Sequence, residues 1–232
     1  LEDYAYFTDA LVSLYEAGGD ATFLDEAQRL AERLVADFSS AEGAFFQTAS
    51  SGEALITRVR EGHDGALPNA NAVAARALAR LAYHLDRPEL VERATAALTA
   101  YGRLIERAPR AFATALGVVD FLLEGPTELV LVGLQGAPET EAFARELARC
   151  YVPNRLFVAV DPAHPSTTPL TREKPAPDGG AALYICRNYA CEAPLRSPSE
   201  VLGALDRRRA ARSSAAVLER ASTATAQSDA AR

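Results

Sequence analysis

The chain has 232 residues, 49% hydrophobic and 24% charged, with a net charge of −7. This composition suits a globular chain long enough to bury a core; the acidic balance, with no basic stripe interleaved with aromatics, excludes a nucleic-acid binder. With no run of about eighteen apolar residues and no basic-then-apolar leader, neither a membrane span nor a secretory signal is expected.

From Leu1 to about Glu124 the pattern is helical. Tyr4, Phe7, Leu11, Leu14 and Tyr15 recur at three- and four-residue spacing and predict one apolar helix face. Gly18-Gly19-Asp20 ends that helix, and a second is expected from about Ala21 to Phe38 on Phe23, Ala27, Leu30, Ala31 and Leu34. Between Ser39 and Pro68, two short runs containing Phe45-Phe46 and Leu55-Ile56 flank Ser50-Ser51-Gly52-Glu53, which predicts a β-hairpin at about 44–59. The stretch Glu61–Arg76 then packs two glycines, a proline and several polar groups ahead of an Ala/Leu-rich helix at about Asn71–Leu85. Pro68 keeps Leu67 out of helical geometry, and Asn69 is a suitable N-cap. Asp86-Arg87-Pro88 breaks this helix; two more are expected at about Glu89–Glu106 and Arg110–Leu123.

At Gly125-Pro126 the pattern changes. Glu128–Val132 and Arg155–Val160 are apolar β-runs separated by an amphipathic helix at Glu139–Arg149, a β-α-β unit whose strands should be parallel and buried. Ala181–Cys186 predicts a third strand, and Ser197-Pro-Ser-Glu200 caps a final helix. The fold class expected is mainly α. Residues 1–125 form helical hairpins of a solenoid or toroid, 126–206 a small α/β segment, and 207–232 a disordered tail. The chain has no Met and opens inside an amphipathic helix, so it is read as a piece of a longer protein. Three cysteines are too few for a disulfide scaffold, which makes a reducing cytoplasm the default compartment.

Several motifs in fixed order resemble a known family: Leu1-Glu-Asp-Tyr-Ala-Tyr, Leu14-Tyr-Glu-Ala17, Gly43-Ala-Phe-Phe, and His63-Asp-Gly-Ala-x-Pro-x-x-Asn71-x-Val. Glu128-Leu-Val-Leu-Val-Gly and Cys186-Arg-Asn-Tyr-Ala-Cys-x-x-Pro194 complete the set. Over about Leu1–Leu205 the chain resembles the C-terminal portion of the thioredoxin-domain-containing proteins related to spermatogenesis-associated protein 20. That resemblance implies an N-terminal thioredoxin-like domain outside this chain. It also implies an (α/α)6 toroid similar to those of N-acylglucosamine 2-epimerases and six-hairpin glycosidases, of which this chain would hold the later hairpins. In one departure, the family pattern Pro-Ser-x-Asn-Ser stands here as Pro68-Asn69-Ala70-Asn71-Ala72, two hydroxyls fewer.

Candidate chemistry gathers at the helix starts. Asp3 and Asp64 would face one another across a toroid cavity as general acid and base on a sugar, with His63 as an epimerase-style acid/base group. Both carboxylates equally suit plain N-terminal capping. Tyr4, Asn69, Asn71 and Glu61 are the substrate-binding candidates, with core packing open for Tyr4 and capping for Asn69. His84 and His164 read as capping or solvent-facing. Cys186 and Cys191, spaced C-x4-C, match neither a thioredoxin C-x-x-C nor a zinc set; they read either as small apolar residues or as a reversible disulfide working with the thioredoxin-like domain. Gly133-Leu-Gln-Gly136 lacks dinucleotide-fingerprint spacing, and Arg207-Arg208-Arg209 reads as a solvated run. No metal or cofactor is expected. Two functions stand side by side: a toroid binding or acting on a small polyhydroxylated molecule, and a non-catalytic scaffold or client-binding domain. An open part-ring with no activity of its own, prone to association, is a third.

Overall fold

The computed structural model describes residues 1–164, 168–177 and 179–210. The tail expected to be disordered falls mostly on 211–232, outside the described residues; 207–210 are helical. Two helical hairpins open the chain. α1 (Glu2–Gly18) turns through Gly19 into α2 (Ala21–Phe38), and α3 (Ala70–Leu85) turns through Asp86 into α4 (Pro88–Thr99). Gly19 ends α1 in the left-handed region at φ 73°, and a Cβ there would stand 2.2 Å from the Ala159 carbonyl oxygen, so both backbone and space demand glycine. Asp20 starts α2 by accepting the Thr22 N–H at 2.9 Å. α3 is the hub. Twelve of its residues are buried, on nearly every side, in keeping with an Ala/Leu-rich composition interrupted mainly by Arg76 and Arg80. It packs on α1, α2, α4 and α6 (Ala113–Glu124), the last reached through α5 (Gly102–Arg107) and a 3-10 turn at Pro109–Phe112.

β1 (Thr127–Val132), α7 (Pro138–Ala148) and β2 (Arg155–Val160) form the expected parallel unit, with Leu129 opposite Phe157 and Leu131 opposite Ala159. β3 (Ala182–Arg187) joins the other edge of β1 antiparallel, and β4 (Ala190–Cys191) pairs with β3, giving the order β2-β1-β3-β4. β1 is buried along its whole length because both its faces are covered. Val130 and Val132 face the helical hairpins with Leu156, Val158 and Val160. Leu129 and Leu131 face the opposite way, onto Phe143 and Leu147 of α7 and Val201, Ala204 and Leu205 of a helix covering 201–210. A capping box, Ser197 with Glu200, precedes that helix.

Three local expectations are corrected. No β-hairpin forms at 44–59: the segment is an irregular loop with one bridge, Ser39 to Phe45, and a Gln47 N–H bond to the Val59 carbonyl at 2.8 Å. Its would-be second strand has no face to bury, and Leu55, Ile56 and Val59 lie exposed. Phe7 and Leu14, expected on the apolar face of α1, also lie exposed, and Ala5, Thr8 and Val12 take the buried positions with Leu11 and Tyr15. The helix expected through Glu106 breaks after Thr99. There Tyr101 swings its ring over Gly62, which has room for it only because it lacks a Cβ.

Candidate functional site

The loop entering α3 is tied down by side chains whose bonding capacity is spent on the backbone. Asn69 caps α3, accepting from the Asn71 N–H at 2.9 Å while its amide nitrogen donates to the His63 carbonyl at 3.3 Å. Asp64 accepts the Asn69 N–H at 2.7 Å with one oxygen and the Thr114 N–H at 2.8 Å with the other, joining the starts of α3 and α6. Burial works against its charge, yet these amide bonds, together with the Thr114 hydroxyl and the Ala113 amide, outweigh it and hold the carboxyl below the ordinary carboxylate range. Asn71 is buried and triply bonded. Its oxygen accepts the Phe45 N–H at 2.7 Å, and its nitrogen donates to the carbonyls of Phe45 at 3.0 Å and Glu61 at 2.9 Å. The Tyr6 hydroxyl donates to the Pro68 carbonyl at 2.6 Å, and the Tyr101 hydroxyl donates to the Glu61 carbonyl at 3.1 Å.

Over this frame lies an open groove of about 320 Å³, lined by Glu2, Gln47, Glu61, His63, Leu67 and Asn69 among others. Glu2, Glu61 and His63 are exposed, and all three are among the residues that line this concavity. Of the residues singled out in the sequence, His63, Glu61 and Asn69 therefore share the groove. Asp64 and Asn71 belong to the frame behind it. Asp3 is exposed in the first turn of α1 and does not line it, and Tyr4 packs its ring at a tilt against Phe38, with centroids 5.3 Å apart. Glu2 and Gln47 were not foreseen; α1 begins at Glu2, so the helical rotation turns that residue to the groove rather than Asp3.

Two further polar clusters lie apart from the groove; the first was not foreseen, and of the second the sequence offered Cys186 and Cys191, with a disulfide as one of two readings, but not Glu128. Between α1 and α3, Arg80 bridges Asp9 at 2.8 Å and Glu16 at 3.1 Å, and Glu16 also meets Nε2 of the fully buried His84 at 3.0 Å. Their spacing along two separate helices gives no local signal. At the far edge of the sheet, Cys186 and Cys191 form a disulfide across the β3–β4 pair. Cys186 is buried, as its strand position implied, and Cys191 is exposed. The connecting turn places Asn188 and Tyr189 at φ 49° and 62°, the geometry of a two-residue hairpin loop. Below it sits Glu128, fully buried, accepting the Tyr189 N–H at 3.1 and 3.3 Å. Burial raises its pKa, and the turn amides only partly offset this. A carboxylate opening an otherwise apolar strand was the available clue. His164 lies exposed, 4.0 Å from Asp161.

A larger cavity, of about 460 Å³, opens between Cys150–Pro153 and the 201–210 helix; none of the predicted site residues lines it. Among the described residues, no helix is long and apolar enough to cross a membrane.

No protein-family model matches the chain. It is 29% identical over 209 residues to human spermatogenesis-associated protein 20, covering 87% of this chain and 26% of the relative. The mouse protein of the same name is 30% identical with the same coverage. An uncharacterized protein of Caenorhabditis elegans is 25% identical over 86% of this chain and 27% of its own length. The chain is thus homologous to spermatogenesis-associated protein 20 and spans about a quarter of the length of the relatives it matches.

Proposed function

With that homology as premise, we propose that the chain supplies the binding groove for a small polyhydroxylated, carbohydrate-like molecule, with Glu61, His63 and Glu2 as its acid/base and hydrogen-bonding groups. One observation carries the reading. Three exposed ionisable residues, Glu2, Glu61 and His63, line one groove, and Asp64, Asn69 and Asn71 tie its loop down through bonds to the backbone behind it. Preorganised walls lower the cost of ordering a ligand. A carboxyl and an imidazole are the groups with which acid/base steps at a sugar carbon are run near neutral pH. Asp64, which suits a catalytic acid on motif alone, acts in this reading by positioning the loop.

The same reading takes the two hairpins as later members of an (α/α)6 toroid completed by segments outside this chain, and it assigns the longer protein a thioredoxin-like domain and a cytoplasmic location.

The test is a thermal-shift panel of monosaccharides, amino sugars and sugar acids on the full-length protein. Ligand at a hundred times its Kd stabilises the folded state by about 2.7 kcal/mol, which reads as several degrees of Tm. The expected outcome is a dose-dependent rise that disappears in Glu61→Gln/His63→Gln. A flat panel, or a rise that survives both substitutions, would sink the groove reading.

A further inference from the structure

The Cys186–Cys191 hairpin is separate from the groove and has no part in it. β1, β3 and β4 place Glu128, Cys186 and Cys191 in one cross-strand row, because Glu128 pairs with Cys186 and Cys186 with Cys191. Paired residues point to the same face, with Cβ atoms about 5 Å apart. The row is graded in exposure: Glu128 and Cys186 are buried, and Cys191 is exposed in the edge strand. The turn above is fastened to the helical layer through the Tyr189 hydroxyl, which donates to the Tyr83 carbonyl at 2.9 Å.

We propose that Cys186–Cys191 is a reversible redox pair opened by a dithiol reductant, with Cys191 as the attacked sulfur, Cys186 as the leaving thiolate and Glu128 as the group that exchanges its proton. Cys191 is exposed and Cys186 fully buried, so the direction of attack follows from the burial of the Cys186 end. In the first step the thiolate of the reductant bonds to Sγ of Cys191. The S–S bond breaks, its electron pair passes to Sγ of Cys186, and the Glu128 carboxyl gives up its proton there. In the second step the remaining thiol of the reductant, deprotonated to water, attacks the reductant's own sulfur in the mixed disulfide. Cys191 leaves as a thiolate and is protonated by water, as is Glu128. Two electrons and two protons reach the protein, and the dithiol departs as a disulfide.

A thiolate released into an apolar layer is costly. A protonated carboxyl beside it removes that cost. Glu128 is suited to hold a proton because burial disfavours its charge more than its partners favour it. Those partners are the amides of Tyr189 and Asn188 in the turn, Lys174 in the loop before β3, and Arg208 on the 201–210 helix; the phenols of Tyr83 on α3 and Tyr189 also face it. Opening the pair leaves β4 held to β3 by main-chain bonds alone, so the state of the disulfide sets how firmly Tyr189 fastens the sheet edge to α3.

The experiment uses the full-length protein with Cys150→Ala to remove the third thiol of this region, peptide mass mapping to assign each sulfur, and dithiothreitol as the reductant. The non-reduced map is expected to join 186 to 191, and millimolar dithiothreitol to open the link without denaturant. Cys186→Ser, which leaves Cys191, should form a mixed disulfide with an aromatic disulfide probe at least tenfold faster than Cys191→Ser does. The opening rate, corrected for the reductant's thiolate fraction, should fall about tenfold as pH rises through the Glu128 titration. Glu128→Gln should be flat at the lower level, and Glu128→Asp should restore the slope. A link that opens only after unfolding, or equal trapping by the two single-cysteine proteins, overturns the redox pair. A wild-type rate without a pH step, readable even where a variant misfolds, overturns the part given to Glu128.

Discussion

The loop before α3 and the turn between β3 and β4 are both tight, polar and close to a buried acidic or amide side chain, yet they are held in opposite ways. Three side chains pin the loop by accepting from or donating to main-chain groups, and no covalent bond takes part. The turn is held by one disulfide and one carboxylate, each of which has a second chemical state. A loop of the first kind needs no disulfide to hold its shape, and in the proposed reading it leaves the neighbouring Glu61 and His63 to serve a ligand. The second kind is conditional. Conspicuous polar residues in a sequence motif can thus be the frame, as Asp64, Asn69 and Asn71 are here.

Four substitutions break or sharpen that contrast. Asn71→Ala should cost most, about 3 kcal/mol in urea unfolding, because it strands the N–H and carbonyl of Phe45 in a buried place and leaves the Glu61 carbonyl with the Tyr101 hydroxyl as its remaining donor; a loss below about 1 kcal/mol would show that the loop is not pinned there. Asp64→Asn should cost about 1–2 kcal/mol at pH 7 through two weakened charge-assisted bonds. Since its folded carboxyl lies below the ordinary value, the stabilisation is present above about pH 4 and fades as pH falls through the folded pKa. The gap between wild type and variant should therefore close in acid, and a gap independent of pH would contradict the account. Glu128→Gln should be smaller and opposite in sign. The wild-type carboxyl has a raised folded pKa, so its contribution is intact below the ordinary glutamate value and is lost as pH rises through the folded one. In paired unfolding curves the variant should gain on the wild type from mildly acid to alkaline pH. His63→Gln is exposed and bonds to the frame through its main chain only, so it should stay within about 0.5 kcal/mol of wild type by the same measurement.

Much of the fold was legible because its signals are local and redundant. The glycine and proline punctuation at Gly19 and Pro88 marks the helical hairpins, and the unbroken apolar runs at β1 and β2 mark parallel, doubly covered strands. The hairpin expected at 44–59 failed since alternation can name a strand only when some other element offers a face, and none covers Leu55 or Ile56. At the candidate site, the loop was legible but the division of labour within it was not. Whether Asp64 or Glu61 is free depends on Thr114, fifty residues further on, whose amide takes one of the Asp64 oxygens. Neither does spacing reveal that Glu128 stands opposite Cys186, a matter of strand register.

The double coverage of β1 bears on how the molecule comes apart. Its Val130 and Val132 complete the interior of the helical hairpins while Leu129 and Leu131 complete that of the α7 side. A cut near Gly125, where the sequence grammar changes, would strip a wall from each half and expose an apolar sheet face. The seam visible in the letters is thus not a seam in the cooperative unit: calorimetry should record one unfolding transition across residues 1–210, and neither half made alone should keep its fold.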